Sequence, residues 1–197
     1  MAPVLPVEQS CLQNFQAVAV AAGSDEGGEQ DLPVFLPQRA LKEASALAQA
    51  AGAQETGGVL IGHLLHDPTV PESFVEVTAQ VPAQHTEASS TKLTFTAQTW
   101  TQVRSILELR RKNELLCGWW HSHPVKEYCS KCPLEAQKQC KLAAGFLSED
   151  DRALHRAVFS RAYSLALVVN VVSFSEPTVS LFGWRNGLLE SRSYQVI

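Results

Sequence analysis

The stretch GWWHSHPVKEYCSKC, residues 118–132, sets two histidines one residue apart and follows them with a Cys-x2-Cys pair. Its first half decides the fold: LLCGWWHSH from Leu115 reads as a short apolar strand running into polar residues at its end. Along a strand, residues i and i+2 point to the same side, so His121 and His123 present two imidazoles to one point. Two neutral ring nitrogens at about 2.0–2.1 Å suit zinc. Two ordinary histidines at a strand end would look the same, so a metal site needs further partners.

Strands and helices alternate on both sides of this segment. VFLP (34–37) reads as a short strand, after which Pro37 opens a helix with Leu41, Ala44, Ala48 and Ala51 on one face. GGVLIGHLL after Glu55 is a buried strand, and FVEVTAQV (74–81) alternates with period two as a half-buried strand does. TAQTWTQVRSILELRRKN spaces Trp100, Val103 and Leu107 as a helix does, with Arg110, Arg111 and Lys112 at its cation-favouring end. SEDDRALHRAVF is a second amphipathic helix and ALVVNVVSF a fully buried strand. TVSLFGW and LLESRSYQV form a terminal hairpin around Asn186-Gly187. The expected fold class is α/β (α+β), a mixed sheet flanked by helices.

The composition narrows the functional classes. At 197 residues we expect one domain, preceded by an extension over residues 1–31 whose GSDEGGEQD stretch reads as a mobile loop. A net charge of −4 without a basic stripe argues against a nucleic-acid partner. No run of 18 apolar residues and no basic-apolar leader is present, so we expect neither a membrane partner nor secretion. Five cysteines, three of them clustered, suit a metal site in a reducing compartment such as the cytoplasm.

Two further segments offer partners to the histidines. Ser148-Glu149-Asp150-Asp151 is a capping-box variant that starts a helix, and a carboxylate in a first helical turn is also rigid enough to ligate a metal. Glu55, ahead of TGGVLIG, is by itself a carboxylate at a strand start. Beside a metal it becomes a candidate to move a proton.

Glu55 with TGGVLIG, then GWWHSHP, then Ser148-x-x-Asp151, resembles the JAMM motif of the JAB/MPN metalloprotease family, in element order from about Leu32 to Tyr194. The resemblance implies a cytidine-deaminase-like JAB/MPN fold over residues 32–197, with His121, His123 and Asp151 as ligands of a catalytic zinc. It further implies Glu55 as general acid/base and Ser148 as donor to the oxyanion. Asp150 is the rival ligand, but neighbouring helical side chains diverge by about 100°, and the Ser-x-x-Asp register favours Asp151. The implied activity is cleavage after the C-terminal glycines of ubiquitin or a ubiquitin-like protein, free or conjugated. The alternatives are a non-catalytic scaffold, as in some members, and a hydrolase of a small amide or sulfur-carrier adduct.

The chain departs from the family in placing Ser148 25 positions after His123, farther than is usual there. We assign 124–147 as a Cys-containing insertion in which Cys129, Cys132 and Cys140 are candidate ligands of a second zinc that would order the loop. His85, His63, His66 and Cys117 are candidates for its fourth ligand, although Cys117 in its apolar strand reads better as a small buried hydrophobe. Some deubiquitinating relatives carry zinc-bearing inserts that help hold ubiquitin, so by resemblance this one would shape the substrate groove. Trp119 and Trp120 alternate in facing, which sends one to the core and the other nearer the surface or groove.

Overall fold

The computed structural model describes residues 5–21, 32–84, 86–88 and 93–197. The GSDEGGEQD stretch and His85 lie outside the described residues. The elements are, in chain order, β1 (Val7–Gln9), β2 (Ala19–Ala21), β3 (Val34–Leu36), α1 (Gln38–Ala50), β4 (Gly57–His66) and β5 (Ser73–Pro82). A small pair follows, β6 (Thr86–Ala88) and β7 (Leu93–Phe95), then α2 (Ala97–Arg110) and β8 (Leu115–His123). The second half holds α3 (Val125–Tyr128), α4 (Leu134–Lys138), α5 (Glu149–Val158), β9 (Leu165–Asn170), β10 (Thr178–Arg185), β11 (Leu188–Arg192) and β12 (Tyr194–Val196).

One mixed sheet runs β11-β10-β9-β8-β4-β5-β3-β12-β2, with β1 added alongside β4. β8 is antiparallel to β4 and parallel to β9, so it lies in the middle with a partner on each side. Asn186 and Gly187 close the β10–β11 hairpin at φ 50° and 79°, the positive values that a two-residue I′ turn demands. The final strand does not continue that hairpin. Arg192 is buried with its guanidinium donating to Leu32 O (2.7 Å) and Trp184 O (3.3 Å), and β12 crosses to pair in parallel with β3.

Both faces of the sheet are covered. Ala44 and Ala48 of α1 pack with Trp120, Leu60 and Leu167 on one side. On the other, Trp119 packs with Phe95, Phe159 and Val168. Both tryptophans are therefore fully buried, contrary to the expectation that one would approach the surface. Each indole N–H finds a partner, Trp119 on His155 Nδ1 (3.0 Å) and Trp120 on Gln80 Oε1 (3.1 Å). Gly58 leaves room for the second of these, since a Cβ there would lie 2.5 Å from Trp120 Nε1.

The first residues take part in the sheet: β1 pairs with β4 and β2 with β12. Phe15 packs against Phe35 and Phe74 at centroid separations of 4.8 and 5.1 Å, contacts worth about 0.5–1.5 kcal/mol each beyond their area. This cover buries Phe74 on one face while Val75 packs into the core under α1 on the other, where alternation had suggested a half-buried strand. No helix among the described residues is long and apolar enough to cross a membrane.

Candidate metal centre

β8 delivers the two histidines. His121 lies in register between Gly57 of β4 and Val168 of β9, and His123 pairs with Asn170. The His121 ring stacks on Trp119 at 4.6 Å, and His123 packs against Phe146 at 4.5 Å. Their Nε2 atoms lie 3.0 Å apart and both rings are buried. Between them Ser122 is also buried; its N donates to Thr56 O (2.8 Å) and its Oγ accepts from Thr56 N (3.0 Å). The residue separating the histidines thus fastens the segment that carries Glu55 to the same strand end.

α5 delivers the acid. Ser148 is the N-cap in a complete capping box with Asp151: its Oγ accepts from Asp151 N (3.1 Å), and Asp151 Oδ2 accepts from Ser148 N (2.7 Å). Ser148 Oγ also lies 2.7 Å from that oxygen as donor. The same Oδ2 is 3.3 Å from His121 Nε2 and 3.8 Å from His123 Nε2. The capping-box partner of Ser148 and the candidate ligand are therefore one residue, Asp151, while Asp150 is exposed.

These distances fit a small cation. Ligand atoms about 2.0–2.1 Å from a tetrahedral zinc lie about 3.3 Å from one another, and the three measured edges are 3.0, 3.3 and 3.8 Å. Among the described residues, the one set of three or more His, Cys, Asp or Glu ligand atoms within 4.8 Å of one another is His121, His123 and Asp151. Their protonation suits a metal as well. Burial holds His121 below its ordinary pKa against the pull of Asp151. Burial opposes ionisation of Asp151, but hydrogen bonds from His121, His123 and Ser148 outweigh it and hold the carboxyl far below the usual range.

Glu55 is buried beside this set, and burial pushes its carboxyl up to about 7 against the lowering effect of His123. Tyr128 Oη donates to Glu55 Oε1 at 3.2 Å. A carboxyl near neutrality beside a metal-ligand set is suited to take up and return a proton.

The insertion, expected as a loop ordered by a metal clip, carries secondary structure of its own. It forms α3, α4 and a 3-10 turn at Lys141–Ala144, and Val125, Cys129 and Val172 make a small buried cluster with Tyr128, Cys140, Leu142 and Phe174 around it. Cys129 Sγ and Cys140 Sγ lie 3.7 Å apart, and Cys132 is exposed. Burial, then contact with Cys140, raises the Cys129 thiol, whereas a metal binds the thiolate. Among the proposed fourth ligands, His63 lies 3.6 Å from Glu8, and His66 pairs in register with Gln9, both toward the end of β4 away from Gly57. Cys117 is buried in the main core, its thiol pushed up to about 12 by burial.

Sequence reasoning missed Tyr128, His155 and Asn170. Tyr128 comes from inside the insertion, where no periodicity announced it. His155 lies on the buried face of α5, one turn after Asp151, and burial holds it down to about 4, so it stays neutral as acceptor for Trp119. That spacing was the available signal.

Residues 37–131 match the family of prokaryotic homologs of the JAB domain, and the mixed sheet flanked by helices agrees with a JAB fold. The match includes Glu55, His121 and His123 and ends before Ser148 and Asp151. Among solved structures, the solution structure of protein DSY2949 from Desulfitobacterium hafniense is similar, with TM-score 0.52 and 16% identity over 83% of this chain and 91% of that one. At that identity the likeness speaks for the fold alone. No curated protein matches the chain.

Proposed function

We propose that this chain is a zinc-dependent peptidase or isopeptidase that cleaves after the C-terminal tail of a ubiquitin-like protein, free or conjugated. One observation carries the reading: a buried carboxylate, Glu55, faces a His121–His123–Asp151 set whose spacing fits one ion. Two imidazoles and one carboxylate leave a coordination position open, which is the catalytic rather than the structural pattern for zinc. Bound there, zinc supplies Lewis acidity, polarising a scissile carbonyl and lowering the pKa of water to about 7.

The protein groups divide the remaining work. Glu55 takes a proton from the attacking water and returns it to the departing amine. Tyr128 keeps the Glu55 carboxyl aimed through its 3.2 Å hydrogen bond. Ser148 holds Asp151 through the cap, and its hydroxyl becomes available to a developing oxyanion only by releasing Asp151 Oδ2. A tail is a suitable substrate because an extended peptide can lie along a sheet edge, and glycines let its backbone approach a recessed site. The five free cysteines fit a reducing compartment such as the cytoplasm.

The test compares zinc-loaded wild type and Glu55→Gln on a folded ubiquitin-like fusion and on the isolated tail peptide. The expected result is cleavage of the fusion by wild type alone, with zinc retained in both proteins. Full activity of Glu55→Gln defeats the mechanism, and equal cleavage of peptide and fusion defeats the folded substrate.

A further inference from the structure

Asn170 ends β9 in register with His123, and parallel neighbours in register project to the same face of a sheet. It is fully buried, and neither its Oδ1 nor its Nδ2 has a hydrogen-bond partner among the described residues. The Nδ1 of His123, buried as well, is in the same condition. A buried amide and a buried imidazole nitrogen thus stand side by side, both unpaired, although buried polar groups are ordinarily satisfied.

Zinc binding explains why both groups are needed. A neutral imidazole that binds metal through Nε2 carries its proton on Nδ1, and such a ligand ordinarily donates that proton to an oxygen acceptor that fixes tautomer and ring orientation. No carboxylate is positioned on β9 to serve: the residues in register with His121, Ser122 and His123 are Val168, Val169 and Asn170. Resting on the metal site proposed above, we infer that Asn170 is a positioning residue for His123, its Oδ1 accepting the Nδ1 proton directly or through one buried water. Its burial keeps it from substrate, so it acts through the histidine alone.

The surroundings favour this placement. A Cβ on Gly145, whose φ is 82°, would lie 3.1 Å from Asn170 Nδ2 and 2.2 Å from Ser180 Oγ, so this glycine closes the amide beneath the backbone that leads to Phe146 and Ser148. Phe146 then covers the His123 ring. Asn170 is thereby enclosed between a metal ligand and the segment that carries the cap of α5.

The experiment measures zinc affinity by chelator competition in wild type, Asn170→Leu and Asn170→Asp, with ¹⁵N ring spectra of the zinc-loaded wild type. Leucine keeps the branched shape and removes the acceptor, so affinity falls about 10–100-fold; aspartate keeps the acceptor and binds zinc at least as tightly as wild type. The spectra show the His123 proton on Nδ1, protected from exchange. Wild-type affinity in Asn170→Leu, equal losses in both variants, or a proton on Nε2 overturns the assignment, equal losses meaning that the amide only seats Gly145. A wild-type chain that binds no zinc removes the metal site itself and this inference with it.

Discussion

The two metal-like motifs that share residues 118–132 are built differently. His121 and His123 are held on a central strand hydrogen-bonded on both sides, and Asp151 is locked by a capping box, so three ligand atoms reach one place through elements that fold for their own reasons. The cysteines sit on short helices and a turn joined by a small apolar cluster; Cys129 meets Cys140 and also interacts with Cys132, which is exposed, but the three do not close into one ligand set. Ligand geometry is preset where backbone register and a helix cap impose it. Where only local turns impose it, residues of the right type at a suggestive spacing come together in part.

Removing a ligand from the preset site gives the largest effect. In His121→Ala we expect zinc content near background and hydrolysis reduced by at least about 10⁴-fold, several kcal/mol of transition-state stabilisation. Metal analysis and fusion cleavage measure both, and retention of one zinc would show that the His–His–Asp set is not the binding site. Glu55→Gln should keep zinc and lose about 10²–10⁴-fold in rate. Its pH signature is separate. In the metal-free fold the Glu55 carboxyl titrates near 7 rather than at its ordinary 4.5, so ionising it costs more folded than unfolded. Its contribution to stability is present below about 4.5 and lost as pH rises toward 7. His121 and His155 have lowered values and act in the opposite sense, losing stability as pH falls. The difference in melting temperature, wild type minus Glu55→Gln, should therefore decrease from pH 5 to 8, and a flat difference would remove the buried-carboxyl account.

The same contrast explains what was legible in the sequence. Period-two spacing placed His121 and His123 on one side of a strand and Ser148-x-x-Asp151 announced a cap, while Asp151 as the third candidate ligand came from the resemblance to the JAMM motif. The hairpin turn at Asn186-Gly187 was equally local. Neither rule reports on the environment opposite the strand. Both tryptophans are buried because helices and the second half of the sheet cover the two faces, and β12 leaves its hairpin because Arg192 is anchored to Leu32, 160 positions away. Asn170 read as part of an apolar run; only the register with His123 shows where its amide lies.

Tyr128 tests whether the insertion supports the preset site. Tyr128→Phe keeps the ring in its apolar cluster and removes one hydrogen bond to Glu55, worth about 0.5–1.5 kcal/mol, so the rate should fall by about 2–10-fold. That hydrogen bond lowers the Glu55 pKa, and its loss raises it. The acid limb of the pH–rate profile should therefore move to higher pH. An unchanged limb would place Tyr128 outside proton transfer and leave it a packing residue.

The smallest effect belongs to the exposed thiol of Cys132. If the insertion is ordered by its apolar cluster, Cys132→Ser alters only an exposed thiol's contact with Cys129, and its stability should stay within about 0.5 kcal/mol of wild type. Metal content should be one zinc per chain in both proteins. If instead Cys129, Cys132 and Cys140 clasp a second ion, wild type contains two zinc and the variant one. The loss would also unfold the insertion, because a metal-ordered loop takes its folding free energy from the metal. Cys129→Ser then reports on the cluster itself. It places a hydroxyl at a buried position against Cys140, so it should destabilise the insertion even when the zinc count is unchanged, and it should weaken the Tyr128 contact with Glu55 one residue away. Order in the insertion would then reach the Glu55 carboxylate through apolar packing, with zinc confined to the site that backbone register built.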